Sequence, residues 1–329
     1  MKYDMVIYDV SAVIMSSMFS SAKGMSKWNY YSYPTSGIGT LFSNIITDLK
    51  TVKPENIFLC LDGKNNFRKK FYPDYKATRK AKRLPVHSDI FRLQIEFLKD
   101  WAGNLGVSIM EFDEVEADDL IYSLVYNNID KKILLRADDS DLQETGVMNP
   151  NLTMRSIQGR GEIRCRRTLE GKIIHGDTSD NIPPLVMSKP EQDLFLKLRN
   201  ENTINMNSYK NKEYLLSVGL PIGLVEQIYR NAVLVMPVIL RDIDKYIIKG
   251  TQNLYKVEQM FALLGMKKIA SRMNMTDLKQ DKTTRNYFIK MLSKIPPSVV
   301  EYFSKDEYVG DTTATTSVGI DSLKAFLQK

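Results

Sequence analysis

The sequence predicts an α/β fold with a central, mostly parallel sheet flanked by helices. Two observations predict it. Short unbroken apolar runs alternate with helix-period segments up to about residue 180, and three of those runs lead directly into aspartates. Strands covered on both faces of a parallel sheet read as continuous apolar runs, with helices crossing between them. In such sheets, sites form beyond the carboxyl ends of the strands.

The elements follow in order. Residues 5–8 form an apolar run ending at Asp9; Leu41, Ile45, Ile46 and Leu49 then repeat at helical spacing. Residues 57–61 form a second run ending at Asp62, followed by helical spacing at Phe91, Ile95, Phe97 and Leu98. Leu120, Ile121, Leu124 and Val125 mark another helix, and the run 133–135 leads to Asp138, Asp139 and Asp141. Beyond Pro183 the pattern turns helical at 193–200, 224–231 and 257–264, with one strand-like run at 233–240. This divides the chain into an α/β domain at 1–182, a mainly helical C-terminal domain at 183–305 and a tail at 306–329. The small, polar stretch 310–319 makes that tail flexible.

Composition narrows the class. Lys and Arg total 46 against 39 Asp and Glu, an excess of +7 too small to prove a polyanionic partner by itself. Cys60 and Cys165 are far apart without CxxC spacing, and His87 and His175 stand alone. A disulfide scaffold and a zinc site are therefore not expected, and a reducing cytoplasm is. Asp4 and Asp9 interrupt the apolar N-terminus, which makes it a poor signal peptide. No stretch of 18 uncharged apolar residues marks a membrane span.

Residues 111–119, EFDEVEADD, hold six carboxylates in nine positions, so Glu116, Asp118 and Asp119 fall at a helix N-terminus. The helix dipole favours acids there, but like charges this crowded are costly unless something neutralises them. Asp139 and Asp141, then Asp177 and Asp180, add oxygen donors of the kind hard cations prefer. The acids alone fit a metal site and a set of unrelated surface carboxylates equally well.

Residues 64–83 carry nine Lys or Arg and one acid, Asp74, interleaved with Phe67, Phe71, Tyr72 and Tyr75. Cations neutralise phosphates and aromatic rings stack on unpaired bases. On a helix, Lys76, Arg79, Lys80 and Arg83 would share one face. A second basic group, Arg155, Arg160, Arg164, Arg166 and Arg167, fits either duplex backbone or ordinary solvated surface.

Six motifs then appear in order: IYD at Asp9, CLDGK at Asp62, FYPDYKATR at Lys76, EVEADD at Asp118, ADDSD at Asp141 and GDTSDNIP at Asp177. Over roughly residues 1–185 the chain resembles the 5′-nuclease superfamily, which includes flap endonucleases and the 5′-nuclease domain of bacterial DNA polymerase I. Within it, the chain is most similar to the stand-alone ribonuclease H of T-even bacteriophages. The resemblance implies a PIN-like core, a helical arch at about 64–90, and two Mg²⁺ ions that Mn²⁺ can replace. It implies Asp9, Asp62, Glu116 and Asp118 around the first ion, with Asp119 beside it. Asp139, Asp141, Asp177 and Asp180 would serve the second. Lys76, Asp118 and Asp139 are the implied catalytic residues. Tyr75 would stack on a base, and Arg68, Arg79 and Arg83 would contact the strand in the arch.

One departure stands out. DNIPPLVMSKPEQDLF lacks the glycines of the family's helix–hairpin–helix, so a degenerate version without its potassium site is expected. Ile320, Leu323, Phe326 and Leu327 would share one face of a short helix, similar to sliding-clamp peptides.

The expected function is a metal-dependent 5′→3′ exonuclease and flap endonuclease that removes RNA primers and adjacent DNA in lagging-strand replication. It would act as a monomer on DNA and RNA–DNA hybrid with a 5′ end or flap. A sliding clamp and a single-strand-binding protein are expected partners, in the host bacterial cytoplasm if the gene is a phage's. The alternatives are an RNA-processing PIN-like nuclease and a non-catalytic nucleic-acid-binding protein.

Overall fold

The computed structural model describes residues 2–19, 29–30, 33–81, 84–275 and 281–304. Its centre is β1 (Met5–Asp9), flanked in parallel by β4 (Asn56–Cys60) and β6 (Ile133–Arg136). The parallel array continues through β5 (Ser108–Met110) and β7 (Leu152–Arg155). Two-residue antiparallel strands, β8 (Glu162–Ile163) and β9 (Ile247–Ile248), close the edges, giving the order β8-β7-β6-β1-β4-β5-β9. A separate two-stranded ribbon pairs β2 (Asn29–Tyr30) with β3 (Tyr33–Pro34).

Strand alternation explains why the apolar runs are unbroken. Val6 and Tyr8 of β1, Ile57 and Leu59 of β4, and Leu134 of β6 face one core. Met5 and Ile7, Phe58 and Cys60, and Ile133 and Leu135 face the other. Helices α1 (Val10–Phe19), α2 (Ser36–Thr51) and α5 (Pro85–Trp101) cover the first face. Helix α6 (Ala117–Asn127) covers the second through Leu120, Ile121, Leu124 and Val125. The sheet grows from β1 toward β4 on one side and toward β6 on the other. That makes the crevice between the ends of β1 and β6 the topological switch point where such folds bind ligands. Beneath it, the buried Asp48 of α2 accepts hydrogen bonds from the Tyr8 hydroxyl (2.5 Å) and from Arg136 Nε (3.0 Å), tying both strands to one helix.

Between the central strands and α5 lie α3 (Phe67–Phe71) and α4 (Ala77–Ala81), each a little over one turn. Downstream of β6 come α7 (Gln143–Met148), α8 (Leu169–His175), α9 (Lys189–Asn200), α10 (Lys212–Ser217) and α11 (Ile222–Val235). The last four build their own core around Phe195, Tyr209, Leu224 and Ile228.

Two expectations need correction. The run 233–240 is no strand; its first residues complete α11, because they continue that helix's buried stripe at Leu224, Val225, Ile228, Ala232 and Leu234. The helices beyond residue 183 are not one unit either. After α11 the chain returns to the sheet: β9 pairs with β5, and α12 (Leu254–Leu263), α13 (Lys267–Ser271), α14 (Lys282–Leu292) and α15 (Pro297–Ser304) follow. Val257, Phe261, Phe288, Leu292 and Phe303 pack into the core that holds Val6 and Leu59. The helix packed against α8 is α11, reached only after α9 and α10. Asn231 of α11 donates to the carbonyls of Ile173 (2.9 Å) and Pro183 (2.8 Å), and Gln227 Oε1 accepts from the Val186 amide (2.8 Å). The predicted clamp-binding residues 320–327 lie outside the described residues. No described helix is long and apolar enough to cross a membrane.

Candidate active site

The carboxyl ends of the central strands deliver the acids. Asp9 is the last residue of β1 and accepts a hydrogen bond from the Ala12 amide (3.0 Å). Asp62, just past β4, is held on both oxygens: Oδ1 accepts from the Ala117 amide (3.0 Å) and Oδ2 from Ser11 Oγ (2.7 Å). Gly63 lets the chain pass here, since a Cβ would lie 1.8 Å from the Phe112 carbonyl oxygen. Asp118 sits in the first turn of α6, and Asp139, past β6, accepts from the Asp141 amide (2.9 Å).

These acids feel one another. Burial pushes the Asp9 carboxyl up to about 7, and the charges of Asp62 and Asp139 add to it, against the Ala12 hydrogen bond and Lys76. Asp118 is pushed well above the carboxylate range by burial, then by Asp139 and Asp9. Asp141 rises to about 6 through burial and Asp139.

Three cations stand among them. Lys76 Nζ lies 2.6 Å from Glu116 Oε1 and 3.9 Å from Asp180 Oδ2, and its amide donates to the Asp180 carbonyl (2.9 Å). Its backbone is left-handed, with φ +57°, a costly state for a non-glycine residue that is seen where the surroundings enforce it. Arg79 pairs with Asp180 and donates from Nε to the Ser179 carbonyl (3.2 Å). Lys172 of α8 bridges Asp141 and Asp177, the latter at 2.6 Å. Although burial opposes it, Lys172 and the Ser179 hydroxyl bring the Asp177 carboxyl down to about 2. Glu116, Asp118, Asp141, Lys172, Asp177 and Asp180 line one small pocket.

Residues 4–165 match the family model of the 5′-3′ exonuclease N-terminal resolvase-like domain. That stretch belongs to the 5′-nuclease superfamily. The chain is similar to a 5′-3′ exonuclease of Buchnera aphidicola from Acyrthosiphon pisum, 28% identical over 196 residues, which are 56% of this chain and 65% of that protein. It is also similar to DNA polymerase I of Caldicellulosiruptor bescii, 25% identical over 199 residues, 54% of this chain and 22% of the polymerase. The matched stretch thus spans just under two thirds of the first relative and about a fifth of the second. A structure of bacteriophage T5 5′-exonuclease with zinc bound overlays 90% of this chain and 99% of its own at 16% identity, with a TM-score of 0.48.

The superfamily's motif residues are not all available to ligands here. Arg68, expected to contact nucleic acid, is buried. Its guanidinium donates to both Asp119 oxygens (2.7 Å each), to Glu116 (3.3 Å) and to the carbonyls of Leu234 (3.0 Å) and Met236 (3.1 Å). Asp119, expected beside a metal, is fully buried. Besides Arg68 it accepts from the amides of Glu116 (3.0 Å) and Val238 (2.8 Å), so its lone pairs are spoken for. Tyr75, expected to stack on a base, is 3% exposed and donates to Glu116 (2.9 Å), with Lys76 Nζ over its ring. Lys76 precedes α4 rather than riding on it, so no single helical face carries it with Arg79. Arg83 lies outside the described residues.

Among the described residues, no three acidic side chains already stand at ion-ligand spacing. Lys76, Arg79 and Lys172 hold Glu116, Asp180, Asp141 and Asp177 in ion pairs instead. The donor chemistry nevertheless fits a hard divalent cation: all ligating atoms are oxygen, and Asp9 and Asp118 are crowded by other carboxylates. Sequence reading missed two contributors. Lys172 left a faint signal, a lysine one turn before the GD motif; Ser11, which orients Asp62, left none.

Proposed function

We propose that the protein is a divalent-cation-dependent 5′→3′ exonuclease and flap endonuclease, which removes RNA primers and adjoining DNA during lagging-strand replication. The observation that carries this reading is the crowding of carboxylates at the switch point, where Asp139 stands close to Asp9, Asp118 and Asp141 and Lys76 close to Asp9 and Asp118. Repulsion of that kind weakens the apo fold and is relieved when the site takes up positive charge. Asp9, Asp62, Glu116 and Asp118 would hold one cation, and Asp139, Asp141, Asp177 and Asp180 would contribute to a second. Bound cations supply Lewis acidity at the scissile phosphate and favour ionisation of the attacking water.

The chain's own residues do the rest. Lys76, kept charged by Glu116, is placed to exchange that partner for a non-bridging phosphate oxygen and to stabilise the charge that grows there. Arg79 and the GDTSDN turn hold the basic segment against the acid pocket, which fixes where the 5′ strand enters. Ser11 and the Ala117 amide orient Asp62 before any ligand arrives. Mg²⁺ is the expected ion, with Mn²⁺ able to substitute. The C-terminal residues Ile320, Leu323, Phe326 and Leu327 supply a clamp-docking peptide; deleting 318–329 should remove clamp stimulation and leave basal cleavage.

The test is cleavage of 5′-labelled RNA–DNA hybrid, flap and nicked duplex with Mg²⁺, beside Asp118→Asn. The variant should lose about 10³-fold in rate, on the order of 4 kcal/mol, with an unchanged circular dichroism spectrum. Tight binding by the wild-type protein with no metal-dependent cleavage of any of these substrates would refute the reading.

A further inference from the structure

Five arginines lie from the end of β7 to the start of α8: Arg155, Arg160, Arg164, Arg166 and Arg167, with Glu162 the one acid in that stretch. Four of them, Arg160, Arg164, Arg166 and Arg167, are exposed. They flank β8 at the outer edge of the sheet, Arg160 just before it and Arg164, Arg166 and Arg167 after it. The preceding turn passes through Gly159 and Gly161 (φ +75° and +90°), where an added Cβ would meet nothing within 4 Å, so this tip stands open to solvent.

Both ends of the run are pinned to the acid loop. Arg160 reaches Asp138 at 3.4 Å, and Asp138 immediately precedes Asp139. At the far end, Thr168 Oγ1 donates to the Ser140 carbonyl (3.1 Å), and Arg166 Nε donates to Gln143 at the start of α7 (3.2 Å). The hairpin tip also touches α1, where Gln158 donates to Ser16 (3.1 Å). The arginine segment therefore packs along residues 138–143.

We propose that this arginine edge is a second nucleic-acid contact, which holds the sugar–phosphate backbone as it runs from the acid site toward β8. The inference rests on the nuclease reading and adds a surface to it. Residues 155–167 contain no aromatic side chain, so this edge has nothing to stack on bases. Exposed guanidiniums at this spacing read phosphate charge and geometry without regard to sequence. The basic segment 64–83 differs, since it mixes cations with aromatics. The two surfaces thus divide the work, and the arginine edge takes the backbone alone.

The experiment measures binding of a 5′-labelled nicked duplex in EDTA, where no cleavage occurs, over a range of salt concentrations. The substitutions Arg160→Gln, Arg164→Gln, Arg166→Gln and Arg167→Gln are combined in one variant. Each phosphate contact contributes about 0.9 to the slope of log K against log salt, so the slope should fall by about 3 to 4, with affinity at low salt down at least tenfold. Lysine at the same four positions should keep the slope, which separates lost charge from lost folding. If the wild-type protein binds and its slope equals that of the glutamine variant, the arginine edge is ordinary surface and this inference fails alone. If the lysine variant falls as far as the glutamine one, charge is not the cause and the inference again fails. If the wild-type protein binds no nucleic acid at all, the nuclease reading fails with it.

Discussion

Asp118 and Asp119 are neighbours in the first turn of α6, yet the two sides of that turn are electrostatic opposites. Asp119 faces inward onto Arg68 and two amides, and its carboxyl is lowered below the usual range against the pull of burial. Asp118 faces Asp9 and Asp139 and is raised well above that range. Residue type and position along the helix are nearly the same, so the difference comes from what the tertiary fold brings to each face. A compensated carboxylate fixes the helix, and a crowded one is where a cation would relieve most repulsion.

The sharpest way to break this contrast is to make the Asp119 side resemble the Asp118 side. Arg68→Met leaves Asp119 charged, buried and without its main partner. It should cost about 3–5 kcal/mol in urea denaturation, the usual penalty for halving a buried pair. A loss below 1 kcal/mol would mean that Arg68 does not hold the helix. Next in size is the cation on the Asp118 side. Lys76→Ala should lower kcat by about 10²–10³, as removal of a preorganised charge at a reacting centre does. An effect confined to KM would relegate Lys76 to binding.

The smallest effect concerns the repulsion itself. Asp9 has a folded-state value near 7, above its ordinary value, so its favourable contribution is complete below about pH 4 and disappears as pH rises through 7. The cation-free protein should therefore lose stability between pH 4 and 8. Asp9→Asn should recover on the order of 1–3 kcal/mol at pH 8 in EDTA, while cleavage is abolished. A melting temperature for Asp9→Asn at or below that of the wild type at pH 8 would show that the cluster carries no such repulsion.

The acid side was legible in sequence and the braced side was not, for a physical reason. Asp9, Asp62 and Asp139 follow apolar strand runs, and strand ends of a parallel sheet converge by construction. Arg68 is read as a surface cation from its neighbours Lys69 and Lys70. Its burial depends on carbonyls at Leu234 and Met236, more than 160 residues away. Tyr75 misleads in the same way, because its ring is covered by tertiary neighbours such as Ile182 and Leu234. The return of the chain to the sheet was hidden because β9 is two residues long, too short for any periodicity to mark.

That late return matters for how the molecule comes into being. The stretch matching the exonuclease domain ends at residue 165, but one face of its sheet is finished by Val257, Phe261, Phe288 and Phe303. Synthesis proceeds from the amino end, so Val6, Leu59 and the helices over them emerge with part of their cover still unmade. The nascent chain carries sticky surface until its last helices arrive. A gene fragment cut at residue 165 or 240 should yield aggregated protein rather than a minimal enzyme.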